Sequence, residues 1–149
     1  PFINPTSFWY SVNNHEIYFH SNAYGRMRYN VENTSKACFE CFRSGRLLPS
    51  NLALEVSFQY ECVIAFGKIR VLGLMDEKRD VLQGLLHKYF GEMESGKDYR
   101  PITDEELKQT SVYGIKINSW SGKKNWEDKA EQAEDGEWPD LDPKWFDLY

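Results

Sequence analysis

Ser57–Gly73, SFQYECVIAFGKIRVLG, decides the fold class. It is too long and too rich in Val, Ile and Phe to be anything other than one long strand, and Gly67 within it marks a bend or bulge. Long bent strands are a common feature of small barrels. C-terminal to it, Asp76-Glu77-Lys78 opens a helix that runs to Tyr89, because Val81, Leu82, Leu85, Leu86 and Tyr89 recur at helical spacing. Asp76 reads as its N-cap. Thr103-Asp104-Glu105-Glu106 has the spacing of a capping box and starts a second helix just after Pro101. Val112–Trp120 is a final strand, with Tyr113, Ile115 and Ile117 alternating against Val112, Gly114 and Lys116, and Gly122-Lys123-Lys124 ends it.

Working towards the N-terminus, Lys36–Phe42 reads as a strand, and Arg43-Ser44-Gly45-Arg46 begins an irregular segment lasting to about Leu54. Tyr24–Asn33 is a short helix. Ser7–Ser11 and Glu16–His20 are aromatic and β-branched runs joined across Val12-Asn13-Asn14-His15, where the paired asparagines tolerate positive φ and predict a tight hairpin. There are no internal repeats. The order of elements predicts a mainly antiparallel β-barrel with helical additions packed outside.

At 149 residues and 41% apolar composition, the chain is sized for one compact core. No run of about 18 uncharged apolar residues occurs, and the start lacks the basic-then-apolar pattern of a secretion signal, so a soluble cytoplasmic protein is expected, with no membrane partner. The net charge of −5 conceals an asymmetry: residues 127–149 hold nine acidic residues against two lysines, leaving 16 basic and 14 acidic residues in 1–126. That mildly basic body carries no long stripe to track phosphates, which argues against nucleic-acid binding. The expected organisation is one domain over 1–126 and an acidic tail over 127–149. The tail carries Trp138, Trp145, Phe146 and Tyr149, too many aromatics for a solvating segment, and is expected to dock on the body or on a partner subunit.

Cys38, Cys41 and Cys62 are odd in number, which argues for free thiols. Cys38 and Cys41 have Cys-x-x-Cys spacing, but on a strand residues three apart point to opposite faces, so neither zinc nor redox chemistry is expected there. His15 and His20 likewise lie five apart on a strand rather than four apart on a helix, and a zinc-protease site is rejected. His15 and His87 read as solvated surface groups. His20 differs, because it ends an apolar strand beside Ser21 and Asn22. The following turn and helix bring Arg26 and Arg28. Hydroxyl, imidazole and two guanidinium groups around a helix start can seat a phosphate-bearing ligand; the competing reading is an ordinary exposed helix face. No Gly-x-Ser-x-Gly, P-loop or Gly-x-Gly-x-x-Gly motif is present.

Several segments together resemble a known family. Pro1-Phe-Ile-Asn-Pro5, Ile17-Tyr-Phe-His-Ser21, Gly25-Arg26, Ala37-Cys-Phe-Glu40, Tyr60-Glu-Cys-Val63, Phe66-Gly-Lys68, Glu77-Lys78, Leu82 and Lys88-Tyr89 follow the order seen in the pyridoxamine 5′-phosphate oxidase-like proteins. The resemblance covers about residues 1–124 and is strongest to the branch related to nitroimidazole-resistance proteins. It implies a split β-barrel that forms a homodimer, with FMN in grooves at the subunit interface. By this resemblance Ser21, Arg26 and Arg28 grip the phosphate, while Asn4, Pro5 and Thr6 lie along the flavin ring with His20 close by. Tyr60, Cys62 and the partner's aromatic residue, matched to Trp120, complete the groove.

Relatives have a lysine where this chain has Met27, so one phosphate ligand is missing unless Arg28 substitutes as the second cation. They also carry a helix and a strand ahead of the segment matched by Pro1: either the N-terminus is truncated or the barrel lacks an element, and lost closure would expose an edge strand that favours pairing with a second chain.

The function so implied is an FMN-dependent oxidoreductase that takes hydride from NAD(P)H and reduces a small acceptor such as a nitroaromatic or quinone, with His20 orienting the ligand or donating a proton. The alternative is a non-enzymatic module that stores or senses flavin or haem in the same groove.

Overall fold

The computed structural model describes residues 2–147. Its elements in chain order are β1 (Trp9–Ser11), β2 (Glu16–Asn22), α1 (Arg26–Asn33), β3 (Lys36–Leu48), β4 (Ser57–Val71), α2 (Met75–Phe90), α3 (Asp104–Gln109), β5 (Thr110–Asn125) and a 3-10 turn over Pro143–Asp147. The five strands form one sheet in the order β1-β2-β5-β4-β3, with β1 and β3 at its two ends rather than joined. The fold is mainly antiparallel β with three helices. Pro1 and Tyr149, which the sequence reading used, lie outside the described residues.

The chain divides into two units, Pro1–Cys38 with Phe66–Ser119, and Phe39–Ala65 with Trp120–Tyr149. In the first, β2 pairs antiparallel with both β1 and β5, so that Tyr18 opposes Trp9 on one side and Gly114 on the other. β2 is therefore an interior strand, and Glu16–Phe19 along it are buried on both faces. Tyr18, Leu72, Val81, Leu85 and Val112 make the core against α2, with Trp9 and Leu82 packed on it. Trp9 stacks on Tyr18 with ring centroids 5.4 Å apart. Its other face lies so close to Gly84 of α2 that a Cβ there would sit 2.7 Å from the indole, which explains a glycine in mid-helix despite its helix cost of about 1 kcal/mol. On the opposite face of β2, Phe19 stacks on Tyr113 at 5.0 Å.

Polar groups tie the unit's edges together. Glu16, buried at 7% exposure, accepts the Tyr18 hydroxyl and pairs with Arg70 at 3.3 Å, and Arg70 also pairs with Glu77 at 2.6 Å. Burial and the Glu16 carboxylate push the Tyr18 phenol pKa up, while the two carboxylates raise that of Arg70. The expected capping box of α3 is present: Thr103 Oγ1 accepts from the Glu106 N–H at 3.4 Å, and Glu106 accepts from the Thr103 N–H at 2.9 Å.

In the second unit, β3 and β4 carry the ring series Phe42, Phe58 and Tyr60, with successive centroids 6.3 and 5.1 Å apart. Arg43 and Lys124 share Glu61 at 2.7 and 2.9 Å, and Arg43 lies 4.4 Å over the Trp126 ring. The tail docks here largely through its backbone, with the Gln132 amide accepting from the Asn51 N–H at 3.2 Å and donating to the Pro49 carbonyl at 3.0 Å. Gln59 donates to the Glu127 carbonyl, Arg46 to that of Asp128, Ser50 to that of Glu131, and Asn51 to that of Pro139.

Several boundaries differ from the sequence reading. β3 runs on through Arg43-Ser44-Gly45-Arg46 to Leu48, and β5 continues through Gly122-Lys123-Lys124 to Asn125. In both, strand pairing overrides weak local β-propensity. α2 is capped by Leu74, leaving Asp76 in its first turn, where its charge favours the helix dipole. Positive φ in the first hairpin falls on His15, at 50°, rather than on the asparagines. β4 is continuous through Gly67, and a Cβ there would lie 2.1 Å from the Lys116 carbonyl oxygen, so glycine is needed for close backbone approach.

Candidate functional site

β2 alternates, so Ser21 and Phe19 point one way and His20 and Tyr18 the other. On the Ser21 side the β2–β5 register places Ser21 opposite Ser111 and Phe19 opposite Tyr113. Ser21 Oγ lies 2.9 Å from the Tyr113 hydroxyl and donates to the Asn22 carbonyl at 3.0 Å. Arg28 of α1 reaches the same patch: its Nη1 donates to Ser111 Oγ at 3.1 Å, and its Nε to Glu32 at 2.6 Å. Burial lowers the pKa of the nearby Lys78 amine, and the Arg28 guanidinium lowers it further.

The start of α1 is shaped by its sequence. Gly25 occupies the N-cap at φ 123°, a conformation side chains rarely adopt, and supplies no capping group. The first turn holds no acidic residue. Its N–H groups are thus uncapped by any side chain, and the helix dipole places positive potential there. Arg26 lies 4.9 Å over the Phe2 ring and, among the described residues, forms no ion pair. Met27 is half-buried and offers no cation. The expected phosphate grip is therefore uneven: Arg26 has no carboxylate partner, whereas Arg28 is tied to Glu32 and Ser111.

The sequence reading grouped His20 with Ser21, Arg26 and Arg28, and the structure puts His20 on the opposite face. It lines a cleft of about 670 Å³ between α2, α3 and the segment joining them. The walls are Leu82, Leu85, Leu86, Phe90 and Ile102. His20 reaches solvent at the mouth, yet the atoms around it lower its pKa below the ordinary imidazole value by desolvation, which leaves it neutral at pH 7. Tyr89 and Tyr99 line the cleft, and their hydroxyls accept from the Phe8 N–H at 3.2 Å and from Gln83 Nε2 at 2.8 Å. Arg100 pairs with Glu106 at 2.6 Å. Of these three, only Tyr89 is marked in the sequence, by its helical spacing with Leu82, Leu85 and Leu86. The signal for Tyr99 and Arg100 is their proximity to the helix boundary at Pro101, which says nothing of a cavity.

The remaining expected residues fall elsewhere. Asn4 and Pro5 are exposed and Thr6 is half-buried, with Asn4 donating to the Pro5 carbonyl and Thr6 to that of Ser7. Tyr60, Cys62 and Trp120 belong to the second unit. Lys123 lies 5.6 Å over the Tyr60 ring, and Trp120 is 63% exposed. Cys62 Sγ donates to Glu40 at 3.5 Å, and desolvation together with that carboxylate raises its thiol pKa. All three cysteines are free, and no cluster of three or more metal-ligating side chains occurs among the described residues.

A five-stranded open sheet of this order with external helices is the split-barrel class. Three solved structures share it. The flavocytochrome Anf3 from Azotobacter vinelandii is 19% identical, with a TM-score of 0.74 over 97% of this chain and 72% of its own. A FAD and haem binding protein from Mycobacterium smegmatis is 22% identical, with a TM-score of 0.74 over 91% and 66%. A 5-nitroimidazole antibiotic resistance protein from Bacteroides thetaiotaomicron is 21% identical, with a TM-score of 0.66 over 82% and 68%. This chain thus spans about two thirds of the length of each. A search of curated proteins found none that matches. The pyridoxamine 5′-phosphate oxidase family model matches residues 1–124, and the chain belongs to that family. No helix among the described residues is long and apolar enough to cross a membrane.

Proposed function

We propose that this protein is a flavoprotein that binds FMN and, as a cytoplasmic homodimer with the cofactor at the subunit interface, uses NAD(P)H to reduce a small acceptor such as a nitroaromatic or quinone. The observation that carries the reading is the start of α1, an uncapped helix N-terminus without acidic residues, with Arg26 unpaired beside it among the described residues. That donor set fits a phosphate monoester: backbone N–H groups and a guanidinium are the groups that recognise one. The flavin-bearing structural neighbours and the family match support a flavin as the bearer of that phosphate. A bound flavin would supply the hydride and electron transfer, and the protein would supply binding and electrostatics.

In this reading Arg26 carries most of the phosphate charge. Arg28 is held in place by Glu32 and Ser111, and Ser21 and Tyr113 fix the strand beside it. The purified protein should show flavin absorption and release FMN on denaturation. Replacing both Arg26 and Arg28 with alanine should leave it largely colourless. Unchanged FMN content in that variant would remove the assignment, and a flavin-loaded protein that does not oxidise NADH or NADPH with any acceptor would remove the enzymatic part.

A second reading, a haem-binding or haem-sensing module, is favoured by the neutral His20 on an apolar cleft wall, since iron takes the uncharged imidazole. A Soret band lost on His20→Ala would select it, and its absence from protein supplied with haemin would dismiss it.

A further inference from the structure

The cleft on the α2 face uses none of the residues assigned to the phosphate, and its chemistry is distinct. Its body is apolar, formed by Leu82, Leu85, Leu86, Phe90 and Ile102, and its volume of about 670 Å³ lies within the usual range for small-molecule sites. Its polar lining sets donors beside the Glu106 carboxylate and the His20 ring. Tyr89 and Tyr99 each accept one hydrogen bond through the hydroxyl oxygen, from Phe8 and Gln83, which leaves each phenolic proton to donate.

Arg100 stands at the rim with its side chain 64% exposed. Its partner Glu106 is already engaged, because Oε2 accepts from both the Thr103 N–H and the Thr103 hydroxyl as part of the α3 capping box. Only Oε1 meets Arg100, through the single nitrogen Nη2. A guanidinium has five N–H donors in a fork suited to a carboxylate, so this one retains donors beyond its bond to Glu106. An apolar cleft with a guanidinium and two phenolic donors matches a molecule with a flat apolar body and an anionic oxygen pair at one end.

We propose that this cleft is a second binding site, separate from the phosphate site, for a flat apolar carboxylate, with Arg100 as the carboxylate anchor and the leucine wall of α2 as the platform. The proposal goes beyond the flavin reading and does not rest on it. The same chemistry is carried by a simple aromatic acid and by a porphyrin propionate. Tyr89 connects the site to the start of the chain, since the hydroxyl that faces the cleft also holds the Phe8 N–H, and Ser7 lies on the cleft wall.

The test uses the full chain as purified and three probes: 1-naphthoate, its uncharged counterpart 1-naphthalenemethanol, and haemin, with affinities read by calorimetry. Naphthoate should bind at least tenfold more tightly than the alcohol. Arg100→Leu, at an exposed position, should weaken naphthoate about tenfold and leave the alcohol unchanged. Leu86→Trp, which fills the cleft, should remove both, with the thermal melt of each variant confirming that it is folded. The proposal is overturned if naphthoate has no advantage over the alcohol, if Arg100→Leu leaves naphthoate unaffected, or if Leu86→Trp leaves both in place. Where naphthoate behaves as expected, displacement by haemin identifies a porphyrin as the source of the carboxylate, and failure of haemin to compete identifies a smaller aromatic acid. Unchanged FMN content in the α1 variants with the naphthoate results intact would fault the flavin reading alone.

Discussion

The two faces of β2 are one residue apart in sequence and opposite in character. Ser21 faces a hydroxyl-rich patch of Ser111 and Tyr113 into which Arg28 reaches, while His20 faces an apolar cleft against α2. One strand thereby presents two kinds of surface, hydroxyls and positive charge on one side and an apolar cleft on the other. The two can be separated experimentally because they share only the sheet.

The largest effect should come from damaging that shared sheet. Gly67→Val would drive a side chain into the Lys116 carbonyl, a clash that backbone cannot relieve cheaply, and should cost about 3 kcal/mol or more in urea unfolding. Both faces should lose their ligands together; survival of one site in a folded variant would break the idea of a common scaffold. Next, Arg26→Ala should weaken FMN by about tenfold, equivalent to ~1.4 kcal/mol, while leaving riboflavin, which lacks the phosphate, and the naphthoate probe unchanged. Equal losses for FMN and riboflavin in fluorescence titrations would mean that Arg26 does not act on the phosphate.

A smaller change is expected from Tyr113→Phe, which removes the hydroxyl facing Ser21 and should lower stability by about 1 kcal/mol without altering the naphthoate affinity. The smallest concerns pH. The folded-state pKa of His20 is depressed, so between the unfolded imidazole value of about 6.5 and the folded one the unfolded chain binds more protons. Stability from this group is present above pH 6.5 and is lost as pH falls through that window. Because the ring reaches solvent, the slope should amount to a few tenths of a kcal/mol, discounted for screening. His20→Gln should flatten it in urea midpoints compared between pH 7.5 and 5.5; a slope unchanged from the parent would show that the ring is not desolvated.

The strands and the α3 cap were legible because their signals are local. Ser57–Val71 is β-rich over its whole length, and Thr103 with Glu106 forms its box within four residues. The ends of β3 and β5 were not, since Ser44-Gly45 and Gly122-Lys123-Lys124 have poor strand propensity and are held by pairing that no window of sequence contains. At the site, Gly25-Arg26 was readable as a helix start near cations. The separation of His20 from Ser21 follows from strand alternation and could have been drawn from the sequence. The partners of that alternation could not, because Ser111 and Tyr113 lie about ninety residues away and only the β2–β5 register brings them into place. The α2 wall of the cleft, Leu82, Leu85, Leu86 and Tyr89, follows helical spacing, but Tyr99 and Arg100 come from the segment before α3 and leave no periodic trace.

The tail is held by Arg46, Ser50, Asn51 and Gln59 through its main-chain oxygens. A latch that grips carbonyls reads spacing and is indifferent to spelling. Apart from Gln132, whose amide side chain bonds Asn51 and Pro49, residues 127–139 can therefore exchange one side chain for another with little penalty at these four bonds. Insertion or deletion of a single residue would instead shift these carbonyls past their donors, so outside Gln132 this segment should drift in composition while keeping its length.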